Sequence, residues 1–358
     1  MAVQQLKQAP SRVTSLDYVR GLAAFGILLY HFQSWTLGHM EAESFWGRIG
    51  LYGVAIFYVL SGLTLYHVYE TRLQLQKAPL TDFYLKRIFR LFPLLWLIMP
   101  VYLLIDPTLR DWDRIVLNFT GLFGFVNWDE PIGVGVWSIG NELVFYLFFP
   151  VFLFAAKYSR WAFALECLLI VAIAIYFAFY SIDDAAPLAQ EWRDYVNPFN
   201  QIFLFLGGVA IGYFTKYKQL PSLPLVLLLI MAVAVFTYYP ADGNTITLVT
   251  DWNRFIFAGT CLAVCFAMYK LPLTLPNVLH VPLHTLGEIS YAVYLLHPLV
   301  HKVVKYLAKQ LHFSPWVTIL LAIAITLILS YLVYQYYEKR FIRLGQKVSA
   351  TITGKMAA

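Results

Sequence analysis

Ten apolar runs, most of them long enough to cross a bilayer, dominate the sequence. They cover residues 15–36, 48–69, 83–105, 134–156, 161–180, 199–215, 223–239, 252–270, 287–309 and 315–337. A backbone inside a bilayer must satisfy its own hydrogen bonds, so runs of ~20 apolar residues cross as α-helices. The chain is also 60% hydrophobic and only 13% charged. We therefore expect an all-α, polytopic integral membrane protein with about ten transmembrane helices.

Lysine and arginine are unevenly distributed between the two sides of this predicted bundle. If the amino terminus is cytoplasmic, 18 of them lie on inner loops and helix ends and 8 on outer ones. The positive-inside rule then places both termini in the cytoplasm. The predicted divisions are a cytoplasmic segment at 1–14, one transmembrane domain at 15–337 and a basic cytoplasmic tail at 338–358.

Several other classes of protein are not expected. The topology accounts for the net charge of +6, so no nucleic-acid partner is predicted. Cys167, Cys261 and Cys265 lie inside apolar runs without a CxxC pair or a Cys/His cluster, which argues against disulfides and a metal site.

The first run has no preceding cleavage site, so a retained helix is expected. The longest connection, 106–133, contains "IVLNFTGLFGFV", which is typical of an interfacial helix.

The first run, "DYVRGLAAFGILLYHF", carries Arg20 near one end and His31 near the other. Eleven residues at ~100° each return to nearly the same azimuth, so both side chains share one helix face about 16 Å apart. A snorkelling arginine and an interfacial histidine would explain each residue alone. Together they favour function, because a neutral histidine can accept a hydroxyl proton and a guanidinium can hold a phosphate.

Three further clusters are candidates for binding or catalysis. Lys86, Arg87 and Arg90 crowd the entry to the third helix and could bind phosphates, although topology and anionic lipid would also explain them. Glu142 is predicted to lie in the membrane at the depth of His31, where a carboxylate without a role is rare. On the ninth predicted helix one face carries Ser290, Tyr294, His297 and His301, a stripe equally suited to interhelical hydrogen bonds or to a cavity.

Six segments in order along the chain resemble motifs of the acyltransferase 3 family of membrane O-acyltransferases. They are "RGLAAFGILLYH" (the R-x10-H signature), "GVAIFYVLSG", "LKRIFRLFPLLWL", "VWSIGNELVFYLFFP", "ISYAVYLLHP" and "YYEKRF". Two positions depart from the family pattern, with Ala55 where an acidic residue is common and Arg340 where a proline is common. The first departure leaves a catalytic acid from the second helix without support.

The resemblance implies transfer of an acyl group from cytoplasmic acetyl-CoA, or another acyl-CoA, to a hydroxyl of a cell-surface or lipid-linked glycan. It implies that His31 is the catalytic base, with Arg20 essential beside it. From its predicted depth in the membrane, Glu142 could orient His31 or bind the sugar. An acyl-enzyme on Ser61 or Ser138 is an alternative to direct transfer. The expected location is the cytoplasmic membrane of a bacterium. The substrate pocket is expected to contain Trp137, Ser138, Ser290, Tyr294 and His297.

Two other functions fit the same residues. A permease or flippase for a lipid-linked glycan would use Arg20, Glu142 and His31 as a relay or binding site. It differs from the acyltransferase in having no reason to release thiol from acyl-CoA. A catalytically silent sensor is less favoured, since the Arg20 and His31 pair is intact. With no soluble domain predicted, we expect the enzyme to act on its acceptor without a second carrier domain.

Overall fold

Helices account for every regular element in the computed structural model, which describes residues 12–38, 40–241 and 243–357. The thirteen α-helices are α1 (Thr14–Leu37), α2 (Phe45–Tyr69), α3 (Lys77–Ile105), α4 (Trp112–Thr120), α5 (Val136–Tyr158), α6 (Arg160–Tyr176), α7 (Trp192–Tyr195), α8 (Pro198–Thr215), α9 (Ser222–Tyr238), α10 (Asp251–Lys270), α11 (Asn277–Gln310), α12 (Pro315–Val333) and α13 (Lys339–Ala357). The all-α prediction is confirmed for these residues. We call the end of the bundle where α1 begins the inner end, and the opposite end the outer end.

Each of the ten predicted apolar runs coincides with a helix. Within the described residues, seven helical segments are long and apolar enough to cross a membrane: Phe45–Tyr69, Lys77–Ile105, Val136–Tyr158, Arg160–Ser181, Trp192–Thr215, Asp251–Lys270 and Pro315–Met356. Helix α9 is apolar but shorter, and α1 and α11 do not meet the same criteria of length and apolarity. Ten crossings, and the cytoplasmic side of both termini, therefore stay predictions.

Two helix pairs form the centre of the bundle. Helix α1 packs along α11, and α2 packs along α8 while also touching α1. The first pair is held close by two glycines, since a Cβ built on Gly21 would lie 2.7 Å from the backbone nitrogen of Gly287. Small residues let helices approach where lipid supplies no hydrophobic drive for association. The α1–α11 crossing thereby fixes the relative height of every side chain on the two helices.

Two arginines counted among the outer cations are buried inside the protein. Arg48 on α2 is 3% exposed and donates to the carbonyls of Phe236, Thr237 and Tyr239 at 2.7–2.9 Å, at the end of α9. A cation is favourable at a helix carboxyl end, where the carbonyls have no intrahelical partner. Arg254 is 2% exposed and donates to backbone carbonyls in the same way. Both positions have a structural explanation.

The connection between α3 and α5 contains the short helix that the sequence predicts there. In α4, Trp112 and Phe119 are exposed, whereas Asn118 is buried. The Asn118 side-chain oxygen accepts from the Ile132 backbone N–H at 2.7 Å, which ties the helix to the chain that follows. The exposed aromatic side chains suit the predicted position at a membrane interface.

At the inner end the structure extends beyond the apolar runs. Helix α11 begins ten residues before its predicted run, and α12 continues through a π-helical turn at Tyr334–Glu338 into α13. The predicted basic tail is thus mostly the helix α13, which packs on α3 and donates a hydrogen bond from Ser349 to Asp82 at 2.5 Å. Residues 1–11 of the predicted segment 1–14 lie outside the described residues.

Candidate functional site

A cavity of about 510 Å³ lies between α1, α2, α3, α5 and α11. The turn that joins α12 to α13 closes part of its inner end. Arg12, whose side chain is 53% exposed, lines the cavity just before α1 begins, so this end is accessible. The charged lining residues are Arg12, Asp17, Arg20, Arg87, Arg90, Glu142, Glu288 and Glu338. Four cations and four carboxylates therefore face one space.

Arg20 faces the cavity from α1 and shares the carboxylate of Asp17 with Arg12. Its guanidinium lies 3.5 Å from a carboxylate oxygen of Asp17, one turn earlier. The same carboxylate pairs with Arg12 at 2.7 Å, and the Asp17 side chain is only 6% exposed. A guanidinium has five N–H donors, so one long contact leaves most of them free for a ligand. Arg20 is not simply snorkelling, because its side chain is 20% exposed and lies inside the protein.

Arg87 and Arg90 line the cavity from the third helix. Arg87 lies among the rings of Tyr69, Phe83 and Tyr146, each 5.8–6.0 Å from the guanidinium carbon. Within the described residues its Nε is buried without a hydrogen-bond partner, and an Nη donates only a long bond of 3.4 Å to Tyr69. A buried donor without a partner is costly, so this guanidinium favours an anionic ligand.

Lys86 does not join the two arginines. Its ammonium pairs with Asp82 at 2.7 Å, one turn earlier on α3, and the residue does not line the cavity. The predicted cluster of three cations is thus divided by the rotation of α3. Two of its members face the cavity and the third faces α13, where Asp82 also accepts from Ser349.

Glu142 lies in the cavity wall with a tyrosine partner. Its carboxylate accepts from the hydroxyl of Tyr146 at 3.1 Å, and Ser61 donates to the same hydroxyl at 3.4 Å. The hydrogen bonds of Glu142 therefore run toward α2 and not toward His31. This arrangement favours a role for Glu142 in the cavity over the alternative that it orients His31.

The far end of the cavity is closed by serine and tyrosine side chains. The hydroxyls of Ser138 and Tyr294 are hydrogen-bonded at 2.9 Å, and Tyr294 donates to the Gly135 carbonyl at 3.1 Å. Ser290 lines the cavity one turn earlier and donates to the Gly287 carbonyl at 2.9 Å. Of the five predicted substrate-pocket residues, these two serines and one tyrosine face the cavity.

His31 and His297 form a separate site directly beyond Tyr294. His31 Nδ1 and His297 Nε2 are 2.8 Å apart, across the α1–α11 contact. The Trp35 ring stacks on His31 at 4.6 Å with an angle of 4° between the planes. Neither histidine lines the cavity, but the Tyr294 ring, which does, lies 6.0 Å from the His297 ring. One tyrosine thus connects the cavity to the histidine pair.

Trp137 is buried away from both sites. It is 8% exposed and contacts Trp192 edge-on at 5.7 Å. It does not line the cavity, so the predicted place in the substrate pocket would require it to leave this contact. Trp128 is similarly held, since its indole donates to the Arg193 carbonyl at 2.8 Å.

Sequence reasoning missed two residues that complete the site. Asp17 holds both Arg12 and Arg20, and its spacing of three residues before Arg20 was a usable signal. Tyr146 bridges Glu142 to Ser61, and its spacing of four residues after Glu142 was the corresponding signal. No group of three or more potential metal ligands occurs in the part of the chain that the structure describes.

These features define a class of protein: a helical membrane protein with an arginine-lined cavity that ends beside a histidine pair. The family model described as an acyltransferase domain matches residues 13–335. The chain therefore belongs to the acyltransferase 3 family, which confirms the relationship that the motifs predict.

Curated relatives of this chain are named as O-acetyltransferases. The peptidoglycan O-acetyltransferase OatA of Listeria monocytogenes is 24% identical over 80% of this chain and 49% of its own length. The putative peptidoglycan O-acetyltransferase YrhL of Bacillus subtilis is 26% identical over 91% and 54%. The O-acetyltransferase OatA of Staphylococcus aureus is 23% identical over 97% and 60%. The chain thus spans about half the length of these relatives. No solved structure matches it.

Proposed function

We propose that this chain is a membrane O-acyltransferase that moves an acetyl group from acetyl-CoA to a hydroxyl of a cell-envelope glycan. The observation that carries the proposal is the cavity, with Arg20, Arg87 and Arg90 along it and the His31–His297 pair beyond its closed end. The names of the relatives support acetyl as the group and peptidoglycan as the acceptor class. Since the chain covers only about half of those proteins, acceptor and donor are both proposals for this chain.

The cavity suits an acyl-CoA by charge and size. Its volume of about 510 Å³ is within the range of roughly 300–1,000 Å³ found for sites of small molecules and cofactors. CoA carries phosphates, and a guanidinium binds phosphate through paired, charge-assisted hydrogen bonds. We assign the nucleotide end to Arg87 and Arg90 and an adjoining phosphate to Arg20. The pantetheine arm then extends toward Ser138 and Tyr294.

The chemistry assigned to His31 is general base catalysis. The acceptor hydroxyl transfers its proton to His31 as its oxygen attacks the thioester carbonyl carbon. The resulting tetrahedral intermediate expels the CoA sulfur, which takes the proton back from His31. One C–O bond forms and one C–S bond breaks, and the products are the acetyl ester and free CoA thiol.

Direct transfer is favoured over an acyl-enzyme by the positions of the two candidate serines. Ser61 donates to Tyr146, and Ser138 is bonded to Gly135 and Tyr294. An activated serine requires hydrogen-bonding contact with a base, and the histidines have other partners. Under the predicted topology, acetyl-CoA enters from the cytoplasm and the acceptor approaches from outside. The location we propose is the cytoplasmic membrane of a bacterium.

Release of free thiol from acetyl-CoA tests this function. Purified protein in nanodiscs is supplied with acetyl-CoA and soluble peptidoglycan fragments, and thiol is measured with a chromogenic disulfide. We expect release that depends on the acceptor and disappears in His31→Ala. His312→Ala, which changes an exposed histidine in the α11–α12 loop, is the matched control and should retain activity.

Two results would contradict the proposal. One is wild-type protein that neither binds acetyl-CoA nor releases thiol, which would shift support to a permease or flippase. The other is His31→Ala that releases thiol at the wild-type rate, which would remove His31 as the base.

A further inference from the structure

A backbone carbonyl hydrogen-bonded to the histidine pair determines which nitrogen of each ring donates and which accepts. His297 Nδ1 lies 3.0 Å from the backbone carbonyl of Val293, one turn earlier on α11. Its other ring nitrogen, Nε2, lies 2.8 Å from His31 Nδ1. His297 is 1% exposed, so bulk solvent does not compete for either nitrogen. Val293, His297 and His31 thus form one line of hydrogen bonds from α11 to α1.

A carbonyl oxygen can only accept, and this fixes every proton in the line. His297 must carry a proton on Nδ1 to donate to Val293, so the Nε2 of the neutral ring has a lone pair. That lone pair accepts a hydrogen bond, which requires a proton on His31 Nδ1. The neutral His31 ring then has its free lone pair on Nε2.

We infer that His297 is a positioning residue that holds His31 in the Nδ1–H tautomer, with Nε2 as the base. The inference rests on the proposed acyl transfer and identifies which nitrogen takes the acceptor proton. It also assigns His297 a role different from lining the substrate pocket. A base oriented by a third group recurs in enzymes that activate a hydroxyl, because the third group fixes tautomer and ring orientation together.

Ring packing supports this assignment. Trp35 stacks on His31 at 4.6 Å, and the planes of His31 and His297 are 12° apart at a centroid distance of 5.1 Å. That centroid distance and small angle are those of two nearly coplanar rings joined edge to edge by the N–H···N hydrogen bond, while Trp35 covers one face of His31. Turning the His31 ring to exchange its two nitrogens would break the hydrogen bond to His297. The hydrogen bond that His31 donates to His297 then selects the tautomer, and the stacking of Trp35 retains the ring orientation.

His301 provides a matched comparison on the same helix. It lies one turn beyond His297 and is similarly buried, at 3% exposed. Its Nε2 is hydrogen-bonded to Thr36 at 2.9 Å, and its ring stacks on Phe32. A substitution at His301 therefore removes a buried histidine of α11 without removing the hydrogen bond to His31.

The test combines kinetics with nitrogen spectroscopy in His297→Leu, His297→Gln and His301→Leu. Leucine cannot accept from His31, so we expect kcat to fall roughly 10- to 100-fold, as for other residues that orient a functional group. The KM for acetyl-CoA should stay unchanged, because the cavity is untouched. Glutamine offers an amide oxygen to His31 and should recover most of the lost kcat. His301→Leu should retain most of the wild-type kcat.

Nitrogen-15 NMR of histidine-labelled protein reads the tautomer directly, with the His31 signals assigned by their loss in His31→Ala. We expect wild-type His31 to show a protonated Nδ1 and an unprotonated Nε2, and His301→Leu to preserve this pattern. A protonated Nε2 on neutral wild-type His31 would overturn the inference, as would His297→Leu with wild-type kcat. Wild type that releases no thiol would overturn the proposed function instead, while the spectrum still decides the tautomer.

Discussion

Buried arginines in this protein differ in what their donors meet. Arg48 and Arg254 donate to backbone carbonyls at helix ends and loops. Among the residues that the structure describes, Arg20 has one polar side-chain contact, at 3.5 Å to Asp17, a carboxylate already paired with Arg12. Arg87 has a buried Nε without a partner among the described residues. Arg254 also has a buried Nε without a partner among the described residues, but it does not line the cavity. Arg20 and Arg87 combine unused donors with a position in the cavity wall, so they are the ones positioned to bind a ligand.

Replacing Arg20 with lysine tests whether the planar guanidinium matters. Lysine retains the charge and can still pair with Asp17, but it cannot make the bidentate contact with a phosphate. We expect the KM for acetyl-CoA to rise about 10-fold, the loss of ~1.4 kcal/mol that one charge-assisted hydrogen bond supplies. Thiol release measured against acetyl-CoA concentration gives this value. Unchanged kinetics would mean that Arg20 contributes charge alone.

The pair Lys86 and Arg87 separates cavity lining from general basicity. The two are adjacent in sequence, but only Arg87 lines the cavity, while Lys86 is paired with Asp82. Arg87→Ala should therefore raise the KM for acetyl-CoA more than Lys86→Ala does. Isothermal titration with CoA provides the same comparison without turnover. Equal effects of the two substitutions would assign both residues to a diffuse electrostatic contribution.

At the scale of elements, the α1–α11 contact carries both the helix crossing and the histidine pair. Gly21 and Gly287 bring the backbones together near the inner end, and His31 and His297 meet farther along the same two helices. Separating the helices at the glycines would also lengthen the distance between the histidines. The glycine packing near the inner end thus sets the geometry of the hydrogen bond between His31 and His297 farther along the helices.

Gly21→Ala tests this coupling. The added Cβ would lie 2.7 Å from the Gly287 nitrogen, and backbone cannot move aside as a side chain can. We expect a loss of about 1–3 kcal/mol of stability, typical of overpacking, and a lower kcat. Gly259→Ala on α10 is the matched control, since nothing lies within 4 Å of its new Cβ. Thermal unfolding followed by tryptophan fluorescence compares them, and equal midpoints would argue against a tight crossing.

The sequence predicts the helices better than their contacts. Run length alone locates the helices that contain 48–69 and 315–337, because lipid requires helical spans. It does not show that α1 packs on α11, since lipid-facing and protein-facing apolar residues look alike. The position of Lys86 outside the cavity depends on how α3 is rotated. The inner extension of α11 was missed because His280, Pro282 and His284 interrupt its first turns, which therefore do not form a continuous apolar run.

For the whole molecule, the cavity and the histidine pair, to which we assign the donor and the acceptor chemistry, lie at different depths. The charged cavity is reached at the inner end beside Arg12, whereas His31 lies beyond Tyr294 toward the outer end of α1. The acyl donor and the acyl acceptor are both polar molecules, and in such a bundle they need not enter through the same opening. Under the proposed direct transfer, only the thioester end of the pantetheine arm and the acceptor hydroxyl have to meet beside His31.

Sided vesicles test this separation. Sealed proteoliposomes are sorted by orientation, using a protease-sensitive tag at the carboxyl terminus, and receive radiolabelled acetyl-CoA outside and peptidoglycan fragments inside, or the reverse. Acetyl-CoA is too highly charged to cross lipid, so transfer should occur only when it is on the side of the termini, which the positive-inside rule places in the cytoplasm. Permeabilising the vesicles with detergent should make both orientations equally active. Transfer with acetyl-CoA on the opposite side in sealed vesicles would contradict the predicted topology. Transfer only with both substrates on one side would contradict a reaction across the membrane and would indicate a single shared entrance.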